Sequence, residues 1–257
     1  QDMAAVTAFT AQDHPQFRLD LLIPPRPGAT HEWEVRPQRQ DRQDKAVLKE
    51  QSNLKFSHMV HLDSEKVQQE STGQALSCAS CHTLEADREH FKPITMDNHC
   101  RSCHKLSFDM FEPDLELPHG DLRAAIVAME AHFIREFTDP KLARDRASTT
   151  PRRVPGKREA AASCAGSGLD CGRAEALKEA QFQFAETGCV TCHDVIDGGK
   201  EQDIHDRWFV RPIRITGDWF REGRFDHASH LSQATAVAAK TCLSCHEANI
   251  SEFATDI

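Results

Sequence analysis

Four copies of one short motif constrain this chain more than any other feature. Each copy has the pattern C-x-x-C-H, and together the copies use eight of the ten cysteines. The pattern is that of c-type haem attachment, in which two thiols bond to the two vinyl groups along one porphyrin edge and the next residue, histidine, ligates the iron. We therefore expect four covalently bound c-type haems, held by Cys78, Cys81, Cys100, Cys103, Cys189, Cys192, Cys242 and Cys245, with His82, His104, His193 and His246 as proximal ligands.

Paired cysteines also occur in zinc sites and in thioredoxin-like redox sites. Neither of these sites requires a histidine directly after the second cysteine, and here all four pairs have one. The repetition of the full five-residue motif therefore favours haem over both alternatives.

Composition sets the expected fold class. A chain of 257 residues with four motifs has about 64 residues for each haem, and its mean hydropathy is only −0.57. Porphyrins must then supply much of the core, so we expect a haem-cored multihaem cytochrome c with two dihaem halves. It should be mainly α-helical, with much irregular loop and a few short strands. The net charge of −9 argues against nucleic-acid binding, and no apolar run approaches the length of a membrane span.

The second axial ligand of each iron is expected to come from a repeated segment. Residues 56–62 and 225–231 both have the pattern F-x-H-x-x-H-L, and each precedes an attachment motif. In a helix the two histidines of one segment lie about 5–6 Å apart on the same face, so one iron cannot take both and each pair should serve two haems. The predicted distal ligands are His58, His61, His227 and His230. His119 is the main reserve, and His99 and His205 are substitutes. Met59, Met96 and Met110 are expected to be packing residues.

The motifs and the repeat together resemble the small low-potential multihaem cytochromes of sulfate- and metal-respiring bacteria. The resemblance covers residues 56–104 and 189–246, but neither the N-terminal 50 residues nor residues 105–188. It implies bis-histidine haems, in which the first histidine of each pair serves the haem that follows and the second serves another haem. Related chains can carry a further haem site near the C-terminus. Here the last residue is eleven residues after His246, and a spare ligand such as His119 would indicate that such a site is missing from this sequence.

The compartment follows from the haem chemistry. Covalent haem attachment takes place outside the cytoplasm, so we expect a periplasmic or extracellular protein. The chain begins at Gln1 without a basic and apolar leader, which indicates a secreted protein whose signal peptide has been removed. In that setting Cys164 and Cys171 should form a local disulfide. A thiolate from this pair as an iron ligand is the alternative, which would favour catalysis.

The chain is expected to divide into four segments. They are an N-terminal extension with short strands (1–55), a first dihaem module plus a helix (56–139), a basic linker with the cysteine pair (140–171) and a second dihaem module (172–257). The patterns predict helices over 121–137, capped by Asp121, and over 172–187. They predict strands over 16–23 and over 208–215, and Met3 to Phe9 could pair with the first of these strands. The strongly polar residues 38–51 are expected to form a solvated connection.

The function expected from these features is electron transfer. Bis-histidine ligation saturates every iron, so no position is open for a substrate and no catalytic residue is assigned. The partners would be other redox proteins acting as electron donor and acceptor. Two alternatives stay open. One is a multihaem enzyme acting on a small nitrogen or sulfur compound, which needs one haem with an open or labile sixth site. The other is a homo-oligomer or a conductive filament of chains polymerised end to end.

Overall fold

The structure is a computed structural model, and it describes residues 18–23, 36–41, 52–142, 164–215, 225–231 and 241–254. The described chain is mainly helical, with short strands and long loops. Its strands are β1 (Arg18–Ile23), β2 (Arg36–Asp41), β3 (Val195–Asp197) and β4 (Trp208–Val210). Its α-helices are α1 (His58–His61), α2 (Cys78–Cys81), α3 (Leu122–Thr138), α4 (Gly168–Gln181), α5 (Cys189–Cys192), α6 (Ile204–Arg207) and α7 (His227–Leu231). Two π-helical turns and one 3-10 turn complete the set: Met96–Cys100, Phe182–Glu186 and Ala248–Ile250.

The chain forms two compact units that do not follow the order of the sequence. Unit 1 comprises Gln1–Pro93 and Pro212–Ile257, and unit 2 comprises Ile94–Arg211. The first and fourth attachment motifs, together with both histidine-pair segments, belong to unit 1. The second and third motifs belong to unit 2. The segments expected from the sequence paired the motifs in chain order instead.

Unit 2 has a hydrophobic core built on α3 and α4. Asp121 caps α3 by accepting a hydrogen bond from the amide of Ala124, as predicted, and the helix ends one residue beyond the predicted range. Gly172 lets α4 approach α3 closely, because a Cβ there would lie 2.5 Å from the Cα of Ile134. The buried apolar side chains of this core are Phe108, Leu117, Ala125, Ile126, Met129, Phe133, Ala176, Ala180, Phe184 and Trp208.

The described part of unit 1 is packed differently. None of its described apolar side chains is buried, and the side chains that are buried there belong to Ser52 and Ser251. Several large apolar side chains in the histidine-pair segments or in and after the fourth C-x-x-C-H motif are exposed instead: Met59, Val60, Phe225, Leu243, Ile250 and Phe253. The described residues of this unit therefore lack a side-chain core of the kind that unit 2 has.

The strands differ from the sequence prediction in two places. β1 pairs in antiparallel register with β2, which occupies the first part of the segment predicted to be a solvated connection. The predicted strand over 208–215 is wrong beyond Val210, because only three residues pair with β3. Met3 to Phe9 and most of the basic linker lie outside the described residues.

No helix in the described ranges is long and apolar enough to cross a membrane.

Candidate functional site

All four attachment motifs adopt the same backbone turn. In each motif the amide of the histidine donates a hydrogen bond to the carbonyl of the first cysteine, at 2.8 Å for His82 and His104 and 2.9 Å for His193 and His246. This bond closes one helical turn, so both cysteines and the histidine emerge from a single compact loop. The four copies of the sequence motif therefore share one hydrogen-bonded backbone turn, although the surrounding structure differs.

The first histidine pair is held by hydrogen bonds on one ring nitrogen. His58 Nδ1 lies 2.9 Å from the carbonyl oxygen of Phe253, and His61 Nδ1 lies 2.8 Å from that of Ser57. A carbonyl oxygen can only accept, so each Nδ1 carries the proton. The lone pair of each neutral ring is then on Nε2, which is the nitrogen available to a metal ion.

The second histidine pair repeats this arrangement. His227 Nδ1 lies 2.9 Å from the carbonyl oxygen of Glu89, and His230 Nδ1 lies 3.0 Å from that of Asp226. Histidines that ligate a metal usually donate their other ring nitrogen to a carbonyl or carboxylate, because this bond fixes both the ring and the tautomer. All four predicted distal histidines therefore have the hydrogen-bond partner that a ligand requires.

A phenylalanine orients the rings of each pair in the same way. Phe56 stacks on His61 with ring centroids 4.3 Å apart, and Phe225 stacks on His230 at 4.4 Å. The same two phenylalanines contact the first histidine of their own pair edge to face. The internal repeat seen in the sequence is therefore a repeat of side-chain geometry as well.

His58 faces the first attachment motif. The rings of His58 and His82 have centroids 6.3 Å apart, and their planes differ by 18°. When two imidazoles coordinate opposite sides of one metal ion at about 2 Å each, their ring centres lie about 6 Å apart. The spacing of these two histidines thus fits the axial positions of a single haem iron.

His227 is associated with the fourth motif. Burial, and in addition the neighbouring His227, lower the pKa of His246. A lowered pKa keeps this imidazole neutral near pH 7, which is the form that binds a metal. Phe91 makes T-shaped contacts with both His82 and His227, so one aromatic ring lies between the histidine of the first motif and the first histidine of the second pair.

The first and fourth motifs meet through their leading cysteines. The pKa of the Cys242 thiol is raised first by burial and then by Cys78, with which it shares a side-chain hydrogen bond. These two residues are far apart in sequence yet in contact in unit 1. Haems attached at these two cysteines would have neighbouring edges.

The third motif is built into the core of unit 2. Gly188 precedes it with a φ of +78°, a conformation that residues with a side chain rarely adopt. Cys189 packs against the hydrophobic core, and burial raises the pKa of its thiol to about 11. His193 lies opposite His119, with ring centroids 5.9 Å apart and planes tilted by 39°. The sequence prediction gave His119 only as a reserve ligand, because His193, which it faces, lies far along the chain.

The second motif begins at the end of a π-helical turn. Thr95 caps this turn by accepting a hydrogen bond from the amide of Asn98. Arg101, between the two cysteines, bonds to Glu116 at 2.8 Å and to Asp97 at 2.6 Å. These bonds raise the pKa of Arg101 and, on the Glu116 side, lower that of the carboxyl. Through Arg101 the second motif is therefore bonded both to a residue before it, Asp97, and to a residue after it, Glu116.

Three other histidines of unit 2 also have hydrogen-bond partners. His132 is buried in the core and its Nε2 lies 2.7 Å from a carboxylate oxygen of Asp109. His205 Nε2 lies 2.8 Å from a carboxylate oxygen of Glu130. The Nε2 of His205, a substitute ligand in the sequence prediction, is therefore engaged elsewhere. His99 bonds through Nδ1 to the backbone of Thr95.

The cysteine pair outside the motifs forms a disulfide between Cys164 and Cys171, which confirms the predicted bond. Its Cα atoms lie 5.7 Å apart at the start of α4. Both sulfur atoms are bonded to each other, so neither is a free thiolate that could ligate an iron.

The described residues contain no group of three or more histidine, cysteine or acidic side chains that could hold a metal ion by itself. A haem iron takes only two ligands from the protein. No protein-family model, curated protein or solved structure matches this chain.

Proposed function

We propose that this chain is a tetrahaem c-type cytochrome that carries electrons through closely spaced, low-potential, bis-histidine haems in periplasmic or extracellular respiration. The observation that carries the proposal is the spacing of His58 and His82, whose ring centroids lie 6.3 Å apart, as two axial ligands of one iron would. In the same unit, Cys242 interacts with Cys78, and His246 has His227 as a neighbour.

The chain's own residues would hold each haem in a fixed position. Two thioether bonds and the proximal histidine come from one backbone turn, so the porphyrin orientation is set locally. The distal rings are oriented by bonds from Nδ1 to backbone carbonyls and by phenylalanine stacking. Such preorganised ligands need little rearrangement when charge is gained or lost, which favours rapid transfer.

The apolar side chains of unit 1 support a haem-cored interior. Met59, Val60, Phe225 and Phe253 are between 39% and 50% exposed, and all flank a distal histidine or its hydrogen-bond partner. Porphyrin faces packed against these side chains would bury them and exclude water from the iron ligands. An apolar shell limits the access of water and lowers the local dielectric constant, and both effects tune the reduction potential of the iron.

Haem supplies one-electron oxidation and reduction at each iron. Saturated axial positions leave no place for a substrate, which favours a carrier over an enzyme. The partners would then be redox proteins that donate and accept electrons at the protein surface. Assembly of several chains into a conducting filament is compatible with the same haem arrangement.

A spectroelectrochemical titration of the purified holoprotein tests this function. We expect a broad, low-potential transition, spread by interaction between neighbouring haems, and rapid oxidation of the reduced protein by soluble electron acceptors. The oxidised and the reduced protein should both be low-spin and should not bind carbon monoxide. Sustained reduction of nitrite, hydroxylamine or tetrathionate, together with carbon monoxide binding to untreated protein, would overturn the carrier assignment in favour of an enzyme.

A further inference from the structure

His119 lies in a loop whose two ends are both anchored. On one side Leu117 is buried and its amide donates a hydrogen bond to the carbonyl of Leu106 at 2.9 Å. On the other side Gly120 turns the chain with a φ of +94°, and Asp121 caps helix α3. The ring of His119 is therefore presented from a defined position in unit 2, although its side chain is exposed to solvent.

The ring of His119 faces the proximal histidine of the third motif. Its centroid lies 5.9 Å from that of His193, and the corresponding separation of His58 and His82 is 6.3 Å. Both values agree with the separation of about 6 Å expected for two imidazoles on opposite sides of one iron. The His58–His82 pair belongs to unit 1 and the His119–His193 pair to unit 2, and the sequences around them are unrelated. The same ring spacing therefore occurs at two independent places.

We propose that His119 is the sixth ligand of the iron at the third motif, a role that the histidine-pair repeat does not supply. The inference rests on the proposed haem binding and adds a specific ligand to it. It also changes the count of histidines. Four proximal ligands, the four histidines of the repeat and His119 make nine ligands for eight axial positions.

One of the histidines that the sequence names as ligands is then surplus. The ring of His58 lies 6.3 Å from that of His82, so the surplus falls among the other three histidines of the repeat.

The test uses three variants of the holoprotein: His119→Ala, His119→Met and, as a matched control, His205→Ala. The control also removes an imidazole from unit 2, but one whose Nε2 is bonded to Glu130. We expect His119→Ala to convert one of the four haems to a high-spin form that binds one carbon monoxide per chain after reduction. His119→Met should stay low-spin while the potential of one haem rises, because methionine ligation raises the potential. The control should match the wild type in both measurements.

An alanine variant that retains four low-spin haems, and binds no more carbon monoxide than the wild type, would overturn the proposal and leave His119 as a ring contact only. If His119→Ala does not accumulate as folded protein, His119→Met provides the test. A redox titration of His119→Met that is the same as that of the wild type would also overturn the proposal. A wild-type protein without covalent haem would contradict the proposed function itself, which is a different result.

Discussion

The rings of His58 and His82 lie nearly parallel, with centroids 6.3 Å apart. The first ring is contributed by helix α1 and held by the carbonyl of Phe253, while the second follows the cysteines of helix α2. An iron between them would be bound by one ligand fixed by the attachment motif and one fixed by a hydrogen bond to the C-terminal part of the chain.

Replacing His58 with alanine should therefore open one iron. We expect one high-spin haem per chain by electron paramagnetic resonance, and one carbon monoxide bound per chain after reduction, because only the distal ligand is lost. The matched control is His90→Ala, since His90 bonds to the Asp87 carboxylate instead. An unchanged low-spin spectrum would remove His58 from the ligand set.

The glycine before the third motif gives a prediction about stability. A Cβ at Gly188 would collide with the amide oxygen of Gln183, and that side chain is itself held by Glu179 at 2.7 Å. We expect Gly188→Ala to lower the free energy of unfolding by about 2 kcal/mol, since both the positive φ and the collision are unfavourable. Denaturant unfolding measures this loss. Gly199→Ala is the control, because Gly199 has a φ of +105° but no neighbour within 4 Å. Equal losses in both variants would show that the collision is relieved at no cost.

The disulfide is predicted to act on stability alone. Replacing both Cys164 and Cys171 with serine removes a short covalent loop, and we expect the free energy of unfolding to fall by about 2 kcal/mol. The haem absorption and paramagnetic spectra should not change, because neither sulfur is free to bind iron. Peptide mapping without reduction should find the two cysteines linked in the wild type. A changed haem spectrum in the double variant would favour a thiolate ligand and an enzymatic role.

The ion pair beside the third motif gives a prediction about pH. Arg207 bonds to both carboxylate oxygens of Asp197 and lowers the pKa of that carboxyl to about 2. A lowered pKa means that the stabilisation is complete above the unfolded-state value of about 4 and is lost as the pH falls through about 2. Since Asp197 is partly exposed, we expect Asp197→Asn to destabilise the protein by under about 1 kcal/mol at pH 7. Unfolding measured at pH 7, 4 and 3 should show the difference from wild type shrinking. A difference that is constant over this range would contradict the assignment.

Local features of the fold could be predicted from the sequence because their causes are local. The Asp121 cap and the apolar spacing after it predict helix α3 to within one residue at each end. The compartment and the short separation of Cys164 and Cys171 likewise predict their disulfide. The strand over 208–215 failed beyond Val210 because apolar residues alone do not provide a pairing partner, and β3 is only three residues long.

The features that were missed all depend on contacts between distant parts of the chain. Nothing near Cys78 indicates that Cys242 is its neighbour, and nothing near His119 indicates that it faces His193. The backbone carbonyl groups of Glu89 and Phe253 accept hydrogen bonds from His227 and His58, and a backbone group gives no side-chain signal in the sequence. Motif spacing therefore indicates which haem ligands to expect, whereas their pairing requires the tertiary structure.

The most direct test of the account is the intact mass of the denatured wild-type protein, purified from a host that matures c-type cytochromes. Covalent attachment survives denaturation, so the account predicts a polypeptide carrying four haem additions, with the Cys164–Cys171 disulfide intact. Replacing Cys242 and Cys245 together with serine should reduce the number to three. A haem-free mass, or one with zinc bound only under native conditions, would contradict the central claim.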